Sequence, residues 1–473
     1  MASWGCGWGQ LIAVFSIVLT LAWAPPAGAI SLREAVETAL EANPEIGESV
    51  ANREATQFEL RQARGLYLPQ IDVEGRYDAQ NYDSPATRFT GTSNDTLGRS
   101  EANLTLSQVI FNGFGRRGEV EQQAALVDAA SNRVYERSEV IGLNTVRQYL
   151  EYGRLLRIVQ LSDENIAYHR KVLADVTKGV DEGTLSIADR QLAEDRLYRA
   201  EAELSRARQE LNASAIRFYK LIGIPLDAYE GAPLPAGSLP NSLQQGTSIA
   251  RTNSPLVRIA QSELDSAYGA RKVANSELYP EVSAELRGRY GNDLDGVFGR
   301  ESELRAGVVF RWNLYRGGID IANKQEALRR IDAARFRLDQ AFRDVEETLR
   351  LAWNQRKLEL RRLSELEKSL AQLNLLVVSY QEQFKIGERT LLDLLNTQNN
   401  KFNTQVAVET SRFDVLFAGY GILAATGTLL AALDLAPPLQ ASAYARDAYG
   451  VPFTPEAETQ KRFSPWEPTV TGP

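Results

Sequence analysis

Residues 103–120 read NLTLSQVIFNGFGRRGEV, and the pattern of their side chains changes near the middle. As far as Asn112, apolar and polar residues alternate, which predicts a β-strand with two different faces. From Gly115 the spacing of the apolar residues becomes that of a helix, and it continues without proline to about Lys178. A helix of about 60 residues is roughly 90 Å long, more than a globular core requires. The stretch therefore predicts a short strand that leads directly into a very long helix.

The same series of features occurs twice, which indicates an internal duplication. Two landmarks recur 211 residues later and three recur 204 residues later. The matches are Asn43-Pro44 with Ser254-Pro255, Leu68-Pro69 with Tyr279-Pro280, Phe111-Asn112-Gly113 with Tyr315-Arg316-Gly317, Gly183 with Gly387, and Gly223 with Gly427. The seven-residue difference falls in a polar loop at residues 80–100. We predict one copy at 30–222, a proline-rich linker at 223–247 and a second copy at 248–430.

Each copy is predicted to contain a helix, two strands, a very long helix, a turn and another long helix. The strand segments have about the 9–11 residues that a tilted transmembrane strand needs. They are residues 71–78, 103–110, 282–290 and 304–314. Alternation also fits a soluble sheet with one wet face. Aromatic residues near the strand ends favour the interpretation as transmembrane strands, because such residues are enriched at membrane interfaces. They are Tyr77, Tyr82, Phe111, Tyr290, Trp312 and Tyr315. Four strands cannot close a barrel, so transmembrane strands would require several chains to share one.

The long helices carry columns of large and small residues that repeat every seven positions. In the first long helix, Val120, Val127, Val134 and Ile141 accompany Ala124, Ser131, Ser138 and Thr145. In the next helix, Leu197, Leu204, Leu211 and Phe218 accompany Ala193, Ala200, Ala207 and Ser214, and the second copy has small residues at Thr397, Thr404, Ser411 and Ala418. Small residues let helices pack closely side by side, which favours a tube of helices. A plain antiparallel coiled coil is the alternative.

The composition excludes several classes of protein. The 473 residues are 44% hydrophobic and 24% charged with a net charge of −8, unlike a polytopic helical membrane protein, a disordered chain or a nucleic-acid-binding protein. One cysteine (Cys6) and one histidine (His169) cannot form a Cys/His zinc site or support ordinary His-based catalysis. With no phosphate loop or Ser-His-Asp set either, we predict no enzyme activity, no cofactor and no metal.

Both ends of the chain differ from the repeats. Residues 1–29 contain no charge, an apolar run from Leu11 to Trp23 and a small-residue site at Ala27–Ala29, which predicts a cleaved signal peptide. Residues 431–473 form a Pro-rich tail, and from Asp434 we expect it to be extended or disordered. We also expect the linker and tail to lie together midway along the helices, and residues 440–473 to be dispensable for assembly.

The duplicated strand–strand–helical-hairpin order resembles the TolC-like family of outer-membrane efflux and secretion channels, over about residues 30–430. Local similarities include Asn43-Pro44, Leu68-Pro69 and residues 108–113, QVIFNG. The most specific is residues 384–395, FKIGERTLLDLL, which is similar to the family's second periplasmic hairpin tip. The sequence GERTLLD is more similar to type I protein-secretion members of the family than to drug-efflux members.

The resemblance implies the architecture, location and partners. Three chains would share a 12-stranded transmembrane β-barrel and a trimeric α-barrel of long helical hairpins, so the fold is mainly α with a small β part. The protein would lie in the cell outer membrane with a long periplasmic extension. A periplasmic adaptor and an inner-membrane ABC transporter or proton-driven pump would dock at the tunnel tip. A soluble periplasmic coiled-coil adaptor or structural protein is the alternative.

The resemblance also implies a gate at the tip. Asp393 would form a ring of three carboxylates that attracts cations. The family often carries a second acidic residue three positions later, where this chain has Asn396. Without that second carboxylate, the constriction would be weaker. In the alternative interpretation, Asp393 is simply a solvated carboxylate at a helix start.

A latch and two turns complete the predicted tip. Arg389 matches a family position that latches the tip to a neighbouring hairpin, with Asp189 as acceptor and Phe384 nearby. An exposed Arg389 with little effect is the alternative. Gly183 and Gly387 are predicted to form the tight reversals, since glycine tolerates positive φ, and to contribute to the adaptor-docking surface.

Overall fold

The computed structural model describes residues 30–226, 228–234 and 236–453. The predicted signal peptide at 1–29 and the end of the tail, 454–473, lie outside the described residues. The first copy contains α1 (Leu32–Ala42), α2 (Pro44–Gly65), β1 (Gln70–Asn81), α3 (Pro85–Thr90), β2 (Thr96–Asn112), α4 (Gly115–Asp181) and α5 (Ile187–Ile222). The second contains α6 (Leu243–Asn253), α7 (Pro255–Ser276), β3 (Glu281–Asn292), β4 (Arg300–Arg311), α8 (Ile319–Lys385) and α9 (Leu391–Ala425). Two short helices follow, α10 (Leu429–Ala432) and α11 (Ala445–Ala448).

The element boundaries repeat at the two offsets found in the sequence. α6, α7 and β3 begin and end 211 residues after α1, α2 and β1, and α8 begins and ends 204 residues after α4. The length difference lies between the two strands of each copy, as predicted. There the first copy has α3, a short helix whose Ser84 side chain accepts a hydrogen bond from the Thr87 amide at 3.2 Å. α6 begins at Leu243, inside the predicted linker at 223–247.

The four strands form one antiparallel sheet in the order β1-β2-β3-β4. β1 and β4 each have one neighbour in the chain, so each has an edge without a strand partner within the described residues. One face carries large exposed apolar residues: Ile71, Val73, Tyr77, Leu104, Leu286, Tyr290, Leu304, Val308 and Phe310. The opposite face is charged; for example, Arg289 lies across from Asn103 and donates a hydrogen bond to Glu101 at 2.9 Å. An exposed apolar face and open edges agree with the predicted membrane strands.

Each strand connects directly to a helix, which fixes the helix order. α2 leads into β1, β2 into α4, α7 into β3, and β4 into α8. The helices therefore pack in the order of the strands, with α4 between α2 and α7, and α7 beside α8. α4 and α8 have 67 residues each, so each is about 100 Å long.

The heptad columns explain how the helices pack so closely. The small residues Ala124, Ser131, Ser138 and Thr145 of α4 have no exposed surface. In α5, Ala193, Ala200, Ala207 and Ser214 are also buried, and so are Thr397, Ser411 and Ala418 in α9. Small side chains bring helix backbones close, while the large members of the columns fill the remaining space. α4 packs on α5, and α8 packs on α9, so each pair forms a long hairpin.

The linker and the start of the tail meet midway along α4, as predicted. Leu226 and Ala232 of the linker share a buried apolar cluster with Leu429, Leu430 and Leu435. Two buried tyrosines hold the linker: the Tyr149 hydroxyl accepts a hydrogen bond from the Glu230 amide at 3.2 Å, and the Tyr420 hydroxyl donates to the Pro233 carbonyl at 2.8 Å. Tyr229 packs against Gly153, where a Cβ atom would lie 2.2 Å from the tyrosine ring. This close approach therefore requires glycine.

The expectation of an extended or disordered tail is wrong for residues 434–453. The Asp128 carboxylate accepts hydrogen bonds from the amides of Tyr444, Ala445 and Arg446 at 2.7–3.1 Å, which holds the start of α11 on α4. The Arg446 guanidinium contacts Asp128 at 2.9 Å and Asp265 of α7 at 2.7 Å, and all three side chains are buried. Charged residues of both copies therefore hold the tail in place. The Pro- and Ala-rich composition of the tail did not reveal these contacts.

We expect Arg446→Met to destabilise the protein by about 3–5 kcal/mol, because it removes the cation shared by two buried carboxylates. Thermal unfolding of the detergent-solubilised protein measures the effect. Arg199→Met is a matched control, since Arg199 lies exposed on α5. Deletion of residues 440–473 should destabilise the protein for the same reason. An unchanged melting temperature for Arg446→Met would show that the ion cluster does not hold the tail.

Candidate functional site

The two helical hairpins end in similar turns. Gly183 and Gly387 have φ angles of 74° and 78°, which confirms the predicted left-handed backbone. A Cβ atom at either position would have no neighbour within 4 Å, so the requirement for glycine is conformational. In each turn the next helix begins at a hydroxyl residue: Ser186 caps α5 and Thr390 caps α9.

A small apolar cluster joins the two hairpins near their tips. Val172 and Val176 of α4 and Ala193 of α5 are buried against Leu391 and Leu395 of α9. The partly buried Phe384 packs against this cluster from the end of α8. All four long helices therefore meet at this point.

The two predicted carboxylates occupy equivalent positions, three residues after the caps. The Thr390 hydroxyl donates to Asp393 at 2.8 Å, and the Asp393 amide donates back to that hydroxyl at 3.2 Å. The Ser186 hydroxyl donates to Asp189 at 2.7 Å in the same manner. Both carboxylates are half-buried. Each stabilises the start of its helix, where a negative charge also interacts favourably with the helix dipole.

Arg389 contacts its own hairpin within one chain. Its Nε donates to the Gln383 side chain at 3.2 Å, and its guanidinium lies 4.6 Å from the centre of the Tyr380 ring. In the described part of a single chain, Arg389 and Asp189 are not joined by an ion pair. The predicted latch between them therefore stays a prediction about neighbouring hairpins in an assembly.

A contact between hairpins that the sequence analysis did not identify involves Asn396. The Arg196 guanidinium of α5 donates to the Asn396 side-chain oxygen on α9 at 3.1 Å. Deeper in the same seam, the Gln398 amide donates to Asn165 of α4 at 2.9 Å, and both residues are buried. Arg196 follows Asp189 by seven residues, so the heptad repeat places both on one face of α5. This seven-residue spacing was the signal in the sequence that could have identified Arg196 as a residue of the tip.

The chain's single histidine lies in the same region. His169 of α4 is 4% exposed, and its ring makes an edge-to-face contact with Tyr168 at 5.9 Å between centres. Burial lowers the pKa of His169 below the ordinary 6.5, and the positive charge of Arg196 lowers it further. The neutral imidazole is therefore favoured in this packing, and protonation would oppose it.

Neither a metal centre nor a membrane-spanning helix is present in the part of the chain that the structure describes. No group of three or more His, Cys, Asp or Glu residues there is arranged to hold a metal ion. No helix there is both long and apolar enough to cross a bilayer.

Comparison with known proteins identifies the class and then the family. The chain folds like bacterial outer-membrane channels: it superposes on the CusC channel with a TM-score of 0.75 (15% identity, 87% of this chain, 95% of CusC). The CmeC outer membrane channel of Campylobacter jejuni gives 0.73 (16% identity, 86% and 90%). The family model described as outer membrane efflux protein matches residues 35–224 and 247–428. The chain belongs to the outer membrane efflux protein family.

Curated relatives agree with this assignment. The outer membrane efflux protein BepC of Brucella suis biovar 1 is 25% identical over 78% of this chain and 79% of its own. The outer membrane protein TolC of Escherichia coli is 22% identical over 84% and 82%. The protein is therefore an outer-membrane channel of the TolC-like family and not an enzyme. The alternative of a soluble coiled-coil adaptor is wrong, because the family match spans both copies.

We expect the His169 pKa to lie below 6.5 and to rise towards 6.5 in Arg196→Gln, because the variant removes a nearby positive charge. NMR titration of labelled histidine reads the pKa directly, since His169 is the only histidine. The exposed Arg199→Gln is the matched control and should leave the titration unchanged. The unfolded chain takes up a proton near pH 6.5 while the folded chain does so only at lower pH, so stability should fall as the pH drops below 6.5.

A His169 pKa at or above 6.5 in the wild-type protein would contradict the buried, neutral imidazole. An equal pKa in wild type and Arg196→Gln would show that Arg196 does not act on the histidine.

Proposed function

We propose that three copies of the chain form a gated conduit for type I protein secretion. The observation that carries the assembly is the pair of open sheet edges. β1 and β4 have 12 residues each, so the β4 edge of one chain can pair along the full length of β1 in the next. Three four-stranded sheets would close a 12-stranded barrel, with the exposed apolar face towards lipid.

The hairpin tips offer a docking surface for a periplasmic adaptor. Ile187, Ile386 and Leu392 surround the two turns and are all large, exposed and apolar. Such residues at the far end of a 100 Å helix are not needed to hold the hairpins together. We propose that they contact the adaptor, which joins the tunnel to an inner-membrane ABC transporter or a proton-driven pump.

The cargo is proposed from the tip sequence and the relatives. The alkaline protease secretion protein AprF of Pseudomonas aeruginosa is 21% identical over 82% of this chain, and the proteases secretion protein PrtF of Dickeya chrysanthemi is 22% identical over 88%. BepC is instead named as an efflux protein. The GERTLLD tip favours protein cargo. In cells that lack their own channel, recovery of protein export rather than drug resistance would support this choice.

We propose that the tip is the gate. Asp393 would form the ring that selects cations, and Arg389 would pair with Asp189 of a neighbouring hairpin to favour the closed state. Phe384 and the Arg196–Asn396 hydrogen bond support the same contact between hairpins. An exposed ion pair contributes only about 0.5–1 kcal/mol, so binding of an adaptor can overcome three of them.

For the assembly, we expect the purified protein in detergent to have the mass of three chains, because a single sheet leaves both edges without partners. Native mass spectrometry or light scattering with detergent correction measures this mass. A water-soluble monomer would contradict the shared barrel.

For the gate, we expect Arg389→Ser to raise single-channel conductance in planar bilayers, because the closed state loses its latch. Asp393→Ala should instead reduce cation preference with less effect on opening. Arg199→Ser, on the exposed surface of α5, is the control and should change neither property. If Arg389→Ser leaves conductance unchanged while Asp393→Ala alone opens the channel, the constriction itself is the gate.

A further inference from the structure

A surface cavity lies at the junction between the sheet and the helices. Its volume is about 570 Å³, and it is bounded by the last turn of α2, the first turns of α4 and Tyr449 of the tail. Three arginines line it: Arg61 and Arg64 from α2, and Arg117 from α4. The gate and the hairpin tips lie at the opposite end of the helices, so this cavity has no part in the site described above.

Within one chain, the cavity carries positive charge that no carboxylate of the described residues balances. Arg61 lies over the Phe58 ring at 5.0 Å and Arg64 over the Tyr449 ring at 5.7 Å. Across the described residues, neither of these arginines has a carboxylate at ion-pair distance. Aromatic rings position the two guanidinium groups without neutralising them. Two adjacent arginines that are held in place but not neutralised favour an anionic ligand.

The one carboxylate in the cavity is already neutralised. Glu121 is 3% exposed, accepts a hydrogen bond from Arg117 at 2.9 Å and contacts the Lys272 ammonium of α7. Because two cations share Glu121, the cavity keeps a net positive charge.

The cavity is continuous with the apolar surface of the sheet. Leu66, Tyr67 and Leu68 are exposed, and they connect Arg64 to the exposed Ile71 at the start of β1. Arg116 stacks on Tyr67 at 4.7 Å, which holds this apolar step in place. This step rests on the proposed barrel: with β1 crossing the outer membrane, the arginines would lie at the level of the lipid headgroups on the side of the helices, which is the periplasmic side.

We propose that this cavity binds the phosphate headgroup of an anionic phospholipid from the periplasmic leaflet. The phosphate would be held by Arg61 and Arg64, and the acyl chains would follow Leu68 and Ile71 along the sheet. A soluble anion would use only the arginines and would gain nothing from the adjacent apolar surface. Positive residues beside a membrane surface attract anionic lipids in this manner.

The second copy shows why one such site is expected in each chain. The positions 211 residues after Arg61 and Arg64 are Lys272 and Asn275. Lys272 is committed to Glu121, and Asn275 is uncharged. The duplication therefore retained the fold of this junction but kept the unneutralised arginine pair only in the first copy.

The experiment measures lipid binding to the full, detergent-solubilised protein by native mass spectrometry. The probes are phosphatidylglycerol, phosphatidylcholine and the soluble anion glycerol 3-phosphate. The test variant is Arg61→Gln with Arg64→Gln, and the matched control is Arg199→Gln with Arg206→Gln, two exposed arginines of α5. Phosphatidylglycerol should bind at about one molecule per chain and bind roughly tenfold more weakly to the test variant only. Phosphatidylcholine should bind both variants alike.

Three results would overturn the inference. Equal phosphatidylglycerol binding by wild type and test variant would exclude these arginines, and equal loss in the control would show a nonspecific charge effect. Displacement of the lipid by glycerol 3-phosphate at similar concentration would indicate a soluble anion instead. The variant Arg61→Lys with Arg64→Lys keeps both positive charges and should retain most of the phosphatidylglycerol binding. Retained binding in this variant would show that the glutamine variant loses lipid because it loses charge and not because substitution at these positions disrupts the fold. The mass of the assembly tests the trimer and the single-channel conductance tests the gate. Both should be the same in the wild type and in the Arg61 and Arg64 variants.

Discussion

The open edges of the four-stranded sheet are the constraint on which the rest of the molecule depends. In lipid, a peptide N–H or C=O group without a partner is costly because no water is present to replace it. Among the residues that the structure describes, β1 and β4 each have a single strand partner, and a second copy of the chain offers the matching edge. Because every strand continues into a helix, the same pairing also decides which helices of neighbouring chains lie side by side. Barrel and tunnel are therefore one assembly with one symmetry.

The junction between strand and helix must be rigid for this coupling to work. Gly113 shows how closely it is packed: a Cβ atom there would lie 2.7 Å from the Tyr279 Cβ. The cavity lined by Arg61 and Arg64 lies beside this junction and is continuous with the apolar face of β1. A bound phospholipid would fix the depth at which the rigid junction lies in the membrane.

Contacts along the helices differ in strength from the middle to the tip. Midway, buried tyrosines and linker residues pack around α4, and nearer the sheet Arg446 joins buried carboxylates of both copies. At the tip, a small apolar cluster is accompanied by partly exposed hydrogen bonds such as Arg196 to Asn396. Exposed polar contacts are weak, whereas breaking a buried ion cluster is costly. We therefore propose that opening is easiest at the tip, where an adaptor would act, while the membrane end keeps its shape.

The sequence by itself determined the duplication, the alternating strands, the long helices and the glycine turns, because each depends on local periodicity or backbone preference. It also placed Asp393 and Arg389 at the tip through the resemblance of residues 384–395, and Asp189 through the matching position of the first copy. Only the tertiary structure revealed that Arg196 bonds Asn396 and that Asp128 and Asp265 hold the tail. These partners are separated by 181 to 318 residues. No local pattern encodes which distant charges meet, since that follows from how the two copies pack together.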